Sequence, residues 1–474
     1  MSAVGGTSND RTLVAGIDSS TQSVKIVVRD ARSGELIREA RAPHPEGTEV
    51  NPQAWWDALR SILPQTLDGV SALSVAGQQH GMVALDSNQE VVRDALLWND
   101  TRSAQAAEDL VQELGGPSAW ATAVGSVPVA AFTVSKLKWM AQHEPENAKR
   151  TRSVVLPHDY LTAILTGKSS EPTTDRGDAS GTGYWSPLTG EYRQDLVELA
   201  LGHELALPRV AGPSEIVGTA VGIGREDIVI GPGTGDNMGA ALALGVKPGD
   251  VVVSLGTSGT AFAGSSTPTQ DPSGFVAGFA DATGNFLPLV CTLNAARILT
   301  ATAAMLKVNF DEFARLALMA APGAGGLTFI PYLDGERTPN LPDAQGSLHG
   351  MTRANMTPEN IARSAIEGMF GGLADAVDAL TRAGASVNRV ILIGGAAANP
   401  AVGRVASTMF NAPVEVPPAG EYVADGAARQ AAWVLNGELP DWSGSGVGEV
   451  RQFAPNYHEV IRANFRSAWH RMYA

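Results

Sequence analysis

Two turns in the segment 231–263, GPGTGDNMGAALALGVKPGDVVVSLGTSGTAFA, carry residue types that could do chemistry. In the first, glycines at 231, 233 and 235 permit positive φ and let a ligand approach the backbone, while the Asp236 carboxylate stands at the start of a small-residue helix, 237–245. In the second, SLGTSG, residues Gly256, Thr257, Ser258 and Gly259 can present consecutive N–H groups and hydroxyls to an anion, the chemistry of a phosphate-binding turn between two strands. Each turn taken alone reads equally well as a helix cap or a hairpin. An echo elsewhere separates these readings: Asp18-Ser19-Ser20-Thr21-Gln22 followed by VKIVV has the same strand, hydroxyl-bearing turn and strand as SLGTS followed by GTAFA. One element occurring twice, half a chain apart, suggests a duplicated fold whose halves face one another.

Other polar groups gather at strand ends. The turn GQQHG offers Gln78, Gln79 and His80, and LLWNDTR offers Trp98, Asn99, Asp100 and Arg102. Amides, carboxylates and an aromatic ring in such places suit a sugar, whose hydroxyls need donors and acceptors while its C–H face rests on a ring. A histidine in a turn can also be merely solvated or structural. In NRVILIGGAAANP, Gly394 and Gly395 end a buried strand and open a small-residue helix, which serves either a ligand's approach or close packing. The loop DRGDASGTGYW contains Asp178, Ser180 and Thr182, whose types could serve a site, and reads first as a solvated loop. TGKS at 166–169 is not a nucleotide loop, because Thr162 stands where that motif needs its first glycine.

The elements that position these groups are short strands and amphipathic helices in an α/β pattern. Strands are expected over 13–18, 24–29 and within 72–86, and helices over 51–63, with Asn51 as cap and Pro52 in the first turn, and over 358–380. A boundary falls near 245–248. At 474 residues the chain exceeds one core. Its 34 basic and 49 acidic residues give a net charge of -15, which opposes nucleic acid and anionic membranes as partners. The single cysteine, Cys291, and the eight scattered histidines exclude a disulfide and a cysteine-rich or HExxH metal site. The leader MSAVGGTSND lacks the character of a secretory signal, and no run reaches the ~18 apolar residues of a membrane span. A soluble cytoplasmic protein is expected, and a homodimer is one assembly the sequence admits.

The turns 18–23, 256–259 and 394–399 occupy the places of the two phosphate motifs and the adenosine motif of the actin-like ATPases. More narrowly, GIDSSTQSVK, GQQHG, LLWNDTR, GTGDNMGAALALG, SLGTSGTAF, PYLDGERTP, GSLHGMTRANMTPENIARSAIEG and LIGGAAANP follow in the order of the FGGY carbohydrate kinases. The chain resembles that family over about 13–433, and within it the xylulokinases. It departs from the usual pattern at Gln79, where the family mostly has methionine, at DSST in the first phosphate turn, and at DAQG, 343–346. The resemblance implies a two-domain actin-like ATPase (ribonuclease H-like) α/β fold with a cleft between duplicated halves. Its parts would be a sugar-binding domain 12–245, a nucleotide-binding domain 246–440, and a linker and helix 441–474. It implies ATP-dependent phosphorylation of D-xylulose, with Asp236 as general base and Gln79, His80, Trp98, Asn99, Asp236 and Asn237 around the sugar. Thr21, Gly256, Thr257 and Ser258 would hold the phosphates, Gly394, Gly395 and Asn399 the adenosine, and Asp18 would organise Mg2+. Closure of the domains would then complete the site and exclude water. Another ketose or polyol, ribulose for example, is an alternative substrate; an ATP-gated sugar sensor without catalysis is a more distant one.

Overall fold

The computed structural model describes residues 11–168, 171–443 and 448–473. The leader 1–10, Ser169 of the TGKS segment and part of the linker after 441 lie outside the described residues. The chain divides into two compact units. The first takes the residues up to Gly245 together with Ala280–Gly284 and Gly420–Gly446. The second takes Val246–Phe279, Asn285–Ala419 and the C-terminal segment from 447.

The first unit is built on a sheet ordered Gly218–Ala220, Arg225–Ile230, Val70–Gly77, Leu13–Ser19, Ser23–Asp30, Leu36–Pro43, with Thr234–Gly235 added beside Val70–Gly77. Leu13–Ser19 pairs antiparallel with Ser23–Asp30 and parallel with Val70–Gly77. Both central strands are buried on both faces, which is why they read as nearly continuous apolar runs. One face packs Ile17, Leu73 and Val75 against Trp55 and Leu59 of the helix Pro52–Ile62 and Leu161 of the helix Pro157–Leu165. Asn51 caps the former by accepting from Gln53 N at 2.9 Å, a bond worth about 1 kcal/mol.

The other face packs Val14, Val27 and Ala72 against Ala424, Ala428 and Ala431 of the helix Tyr422–Asn436. That helix lies backbone to backbone on its neighbours. A Cβ on Gly16 would sit 1.9 Å from the Ala424 carbonyl oxygen, and one on Gly426 would sit 1.8 Å from the carbonyl oxygen of Gly239. The alanine-rich run 424–432 is therefore the surface that lets the helix sit so close.

The second unit repeats the topology. Its sheet runs Ala277–Ala280, Phe286–Thr292, Gly259–Ala263, Asp250–Leu255, Arg389–Ile393, Val414–Val416, Arg451–Phe453. Asp250–Leu255 is antiparallel to Gly259–Ala263 and parallel to Arg389–Ile393, as Leu13–Ser19 is to its own two neighbours. The repeated hydroxyl-bearing turn thus belongs to a repeated sheet, and each unit has the α/β architecture of the actin-like ATPases. The helix Pro358–Arg382 covers this sheet through Ile366, Phe370, Leu373 and Val377, and is capped by Thr357. The last helix, Glu459–Tyr473, packs through Ile461, Phe465 and Ala468. Its Arg462 Nη2 reaches Asp375 at 2.7 Å and Asp378 at 2.6 Å.

One boundary differs from expectation. After Gly394 the chain makes a short 3-10 turn, Gly395–Ala398, and the α-helix begins only at Pro400, with the Asn399 side chain accepting from Ala401 N at 2.9 Å. Proline at the first helical position and the asparagine before it set that start. Among the described residues no helix is long and apolar enough to cross a membrane.

Candidate functional site

Backbone pairing brings the Asp236 turn beside the glutamine turn. Thr234 and Gly235 pair with Ala76 and Gly77, the end of the strand that runs into Gln78, Gln79 and His80. The helix Asp236–Leu244 starts immediately after Gly235 and ends at Gly245 in the left-handed conformation, φ 62°. Asp236 Oδ1 accepts from Asn237 N at 2.8 Å and Asn237 Nδ2 at 2.9 Å, and the same Nδ2 donates to Gln79 Oε1 at 3.0 Å. Asp236, Asn237 and Gln79 therefore form one connected group.

The side-chain amides of Gln78 and Gln79 are buried, and the Nε2 atoms of both have no protein partner. An unpaired buried donor costs about 1–3 kcal/mol, so this turn carries two donors that an acceptor from outside the protein could satisfy. His80 is also buried, with φ at 67°. Its ring stacks on Phe132 with centroids 4.9 Å apart, and Lys136 Nζ donates to its carbonyl at 2.7 Å. His80 Nδ1 lies 2.7 Å from the carbonyl oxygen of Gly181, which can only accept; Nδ1 therefore carries the proton in the neutral ring.

Trp98 is half-buried and its Nε1 donates to Thr21 Oγ1 at 2.8 Å, and the Thr21 hydroxyl donates to Gln78 Oε1 at 3.4 Å. These contacts tie the turn 18–23 to the glutamine turn. Asn99 is exposed on the same loop as Trp98. Asp100 is occupied: it accepts from Thr48 Oγ1 at 2.7 Å and Arg102 Nε at 2.9 Å. Against the opposing effect of burial, these donors hold its carboxyl below the usual range.

Asp18 is buried at the end of its strand, accepts from the Ser20 hydroxyl, and lies 3.9 Å from Lys25 Nζ. Burial pushes its carboxyl up to about 6 despite those two partners. Asp236, though half-buried by its own surface, is pushed up to about 7 by its low-dielectric surroundings and then by the charge of Asp18. A helix N-terminus stabilises a carboxylate by only about 0.3–1 kcal/mol at an ordinary site, and here burial outweighs it. Among the described residues no group of three or more His, Cys, Asp or Glu side chains stands ready for a metal ion.

In the second unit, Gly256, Thr257 and Ser258 form the turn between Asp250–Leu255 and Gly259–Ala263, with Thr257 exposed. The Gly256 carbonyl accepts from Ala296 N at 2.9 Å and that of Thr257 from Arg297 Nε at 3.3 Å. With both carbonyls turned to protein donors, the turn is held from behind. Gly394, φ 89°, would place a Cβ 2.7 Å from the Leu255 backbone, so close packing against this strand requires glycine there; a Cβ on Gly395 meets nothing within 4 Å. Asn399 spends its carbonyl oxygen on the helix cap. A separate concavity of about 540 Å³, lined by Phe275, Tyr332, Asp375 and Trp469 among others, includes none of these residues.

The loop read from sequence as solvated is buried. Asp178, Ser180 and Thr182 are at most 2% exposed, and His158 Nε2 lies 3.3 Å from Asp159 Oδ1, 3.4 Å from Asp175 Oδ1 and 3.3 Å from Asp178 Oδ2. Burial alone would depress the imidazolium, but these carboxylates push it up to about 9, while burial raises Asp178 well above its usual value. The cluster sits against the glutamine and aspartate turns. A Cβ on Gly77 would lie 3.1 Å from the His158 Cβ, and one on Gly233 would lie 2.6 Å from His158 Nδ1. Sequence reasoning missed His158, Asp159 and Asp175; the available signal was Asp175 itself, an N-cap that accepts from Gly177 N and Asp178 N.

Known proteins place the chain. Residues 13–243 match the N-terminal domain, and 251–435 the C-terminal domain, of the FGGY family of carbohydrate kinases. The xylulose kinase of Streptomyces coelicolor is 46% identical over 438 residues, which cover 90% of this chain and 89% of that protein. That of Streptomyces rubiginosus is 45% identical over 444 residues, with the same coverage. The crystal structure of xylulose kinase from Bifidobacterium adolescentis superposes with a TM-score of 0.88 at 43% identity, covering 97% of this chain and 99% of that one. With both domain matches in chain order and the repeated sheet beneath them, the chain belongs to the FGGY family of carbohydrate kinases.

Proposed function

We infer that this chain transfers the γ-phosphoryl group of ATP to the terminal hydroxyl of D-xylulose, giving D-xylulose 5-phosphate and ADP. The observation that carries this reading is the identity of 45–46% to two xylulose kinases over nine-tenths of both partners. Asp236 is the general base. As the sugar oxygen bonds to the γ-phosphorus and the bond from phosphorus to the ADP oxygen breaks, the hydroxyl proton passes to a carboxylate oxygen of Asp236. Asn237 and Gln79 hold that carboxylate and the sugar in register, and the unpaired Nε2 groups of Gln78 and Gln79 donate to sugar oxygens. His80 contacts the sugar, Trp98 faces the sugar with its ring, and Asn99 lies at the rim. Thr21, Gly256, Thr257 and Ser258 bind the phosphates, and Gly394, Gly395 and Asn399 flank the adenosine.

Asp18 suits Mg2+. The ion keeps most of its water and needs one or two carboxylates beside phosphate oxygens, and the charge of Asp18, which raises the cost of ionising Asp236, is one that a cation would offset. When bound with ATP it supplies charge neutralisation at the phosphate oxygens. The cytoplasm suits a chain with one cysteine and this chemistry. A panel of sugars and polyols assayed for ADP release tests the substrate: D-xylulose should give the highest kcat/KM, and a clear preference for ribulose or a polyol would replace it.

A further inference from the structure

The backbone of Gly233 is gripped on both sides of its Cα from a distant part of the chain. Gln430, on the helix Tyr422–Asn436, is fully buried, and both ends of its side-chain amide are spent on this one residue. Its Nε2 donates to the Gly233 carbonyl at 3.0 Å, and its Oε1 accepts from Gly233 N at 3.1 Å. Ser74 Oγ, from the strand Val70–Gly77, donates to the same Oε1 at 2.5 Å and accepts from Gly233 N at 3.3 Å. Gly233 has φ 83°, and a Cβ there would meet both His158 Nδ1 and the Val75 carbonyl oxygen at 2.6 Å, so the residue is fixed from below as well. Next in the chain, Thr234 Oγ1 donates to Asp175 Oδ2 at 3.3 Å. Asp236 follows two residues later, and the amide of Gln430 satisfies both the N–H and the C=O of Gly233.

The same helix braces the other carboxylate. It touches Gly16, two residues before Asp18, through the Ala424 carbonyl, and it touches the helix begun by Asp236 through Gly426. Glu421 at its start pairs with Lys25, which lies near Asp18, and Asp425 Oδ1 accepts from Arg29 Nε at 2.7 Å. The first turns of the helix are therefore pinned to the strand that leads to Asp18 and to the helix that Asp236 begins.

We propose that Gln430 is a positioning residue for phosphoryl transfer: by clamping the Gly233 backbone it sets where the Asp236 carboxylate stands. This rests on the reading of Asp236 as general base. A displacement on the order of 1 Å at a reacting group can cost about 10²-fold in rate. Gln430→Leu removes the clamp at similar volume, and Gln430→Glu keeps the acceptor for Gly233 N and Ser74 but loses the donor to the Gly233 carbonyl.

The test measures kcat, KM for D-xylulose and for ATP, and melting temperature for Gln430→Leu, Gln430→Glu, Asp236→Asn and the double variant Gln430→Leu/Asp236→Asn. Expected are a fall in kcat of about 10²-fold for Gln430→Leu with the ATP KM within about twofold, and an intermediate kcat for Gln430→Glu. In the Asp236→Asn background, Gln430→Leu should cost less than about twofold, because the group it misplaces is already gone. Normal turnover in a Gln430→Leu enzyme that merely melts earlier, or a loss that multiplies in full on Asp236→Asn, overturns the proposal while the base assignment stands. Near-normal turnover of Asp236→Asn alone removes the base, and this proposal with it.

Discussion

Replacing Asp236 by asparagine should remove a proton acceptor and little else. Both hydrogen bonds from Asn237 reach Oδ1, an oxygen that asparagine retains, so the turn should hold and the melting temperature should stay within about 2 °C. General-base catalysis contributes about 10²–10⁴ in rate, or about 3–5 kcal/mol at the barrier, and kcat should fall by that order. The environment of the carboxyl adds a sharper signature. With its pKa pushed up to about 7, Asp236 is ionised in roughly a tenth of the molecules at pH 6 and nine-tenths at pH 8. The variant has no such group, so the wild-type to variant ratio of kcat/KM for D-xylulose should climb about tenfold between those pH values. Coupled detection of ADP with ATP and D-xylulose both well below KM, at constant ionic strength, reads the free enzyme and measures it. A ratio that stays flat across this range, or a stable variant that turns over nearly as fast as the wild type, would refute the reasoning.

Three further outcomes follow from the same geometry. A Cβ on Gly256 meets only Ser258 O, at 3.4 Å, so Gly256→Val should fold yet raise the ATP KM by about tenfold or more, while Lys168→Ala, an exposed change, should leave it within about twofold; equal losses would overturn the phosphate-turn assignment. His80→Ala should raise the D-xylulose KM about tenfold and spare ATP binding, as titration calorimetry with each ligand would report; a matching loss for ATP would contradict it. Gly16→Ala drives a Cβ to 1.9 Å from the Ala424 carbonyl oxygen and should cost about 3 kcal/mol or more, read as a lowered urea midpoint, and an unchanged midpoint would mean that strand and helix are not in backbone contact.

The parts of the site that were legible in the sequence are those with local causes. The Asn51 cap, the glycine turns and the strands on either side of 18–23 and 256–259 each follow from residues a few places apart, and the repeated hydroxyl-bearing turn foretold a repeated sheet. What was not legible arises from convergence. Asp178, Ser180 and Thr182 look like a wet loop because their neighbours are polar and small, yet His158, brought in by another helix, makes their burial tolerable by supplying a positive charge among three carboxylates. The state of Asp236 was not legible for the same reason: the helix N-terminus is visible in the sequence, whereas the burial and the Asp18 charge that outweigh it are not. Gln430 sits in an alanine-rich helix with no motif around it, and only the structure brings it to Gly233.

The helix Tyr422–Asn436 also bears on how the protein is made. The strands Leu13–Ser19, Ser23–Asp30 and Val70–Gly77 leave the ribosome early, but the helix that covers Val14, Val27 and Ala72 is encoded after all strands of the second sheet except Arg451–Phe453. At about 5–20 residues per second, the roughly 180 residues between Gly245 and that helix take about 10 to 35 s to synthesise. Throughout that interval the first sheet presents an uncovered face of valine and alanine, with Gly16 at its centre. The nascent chain therefore has a fixed window in which a chaperone that shields flat apolar surface would raise its yield, and a fragment ended at Gly245 would stay in that state permanently.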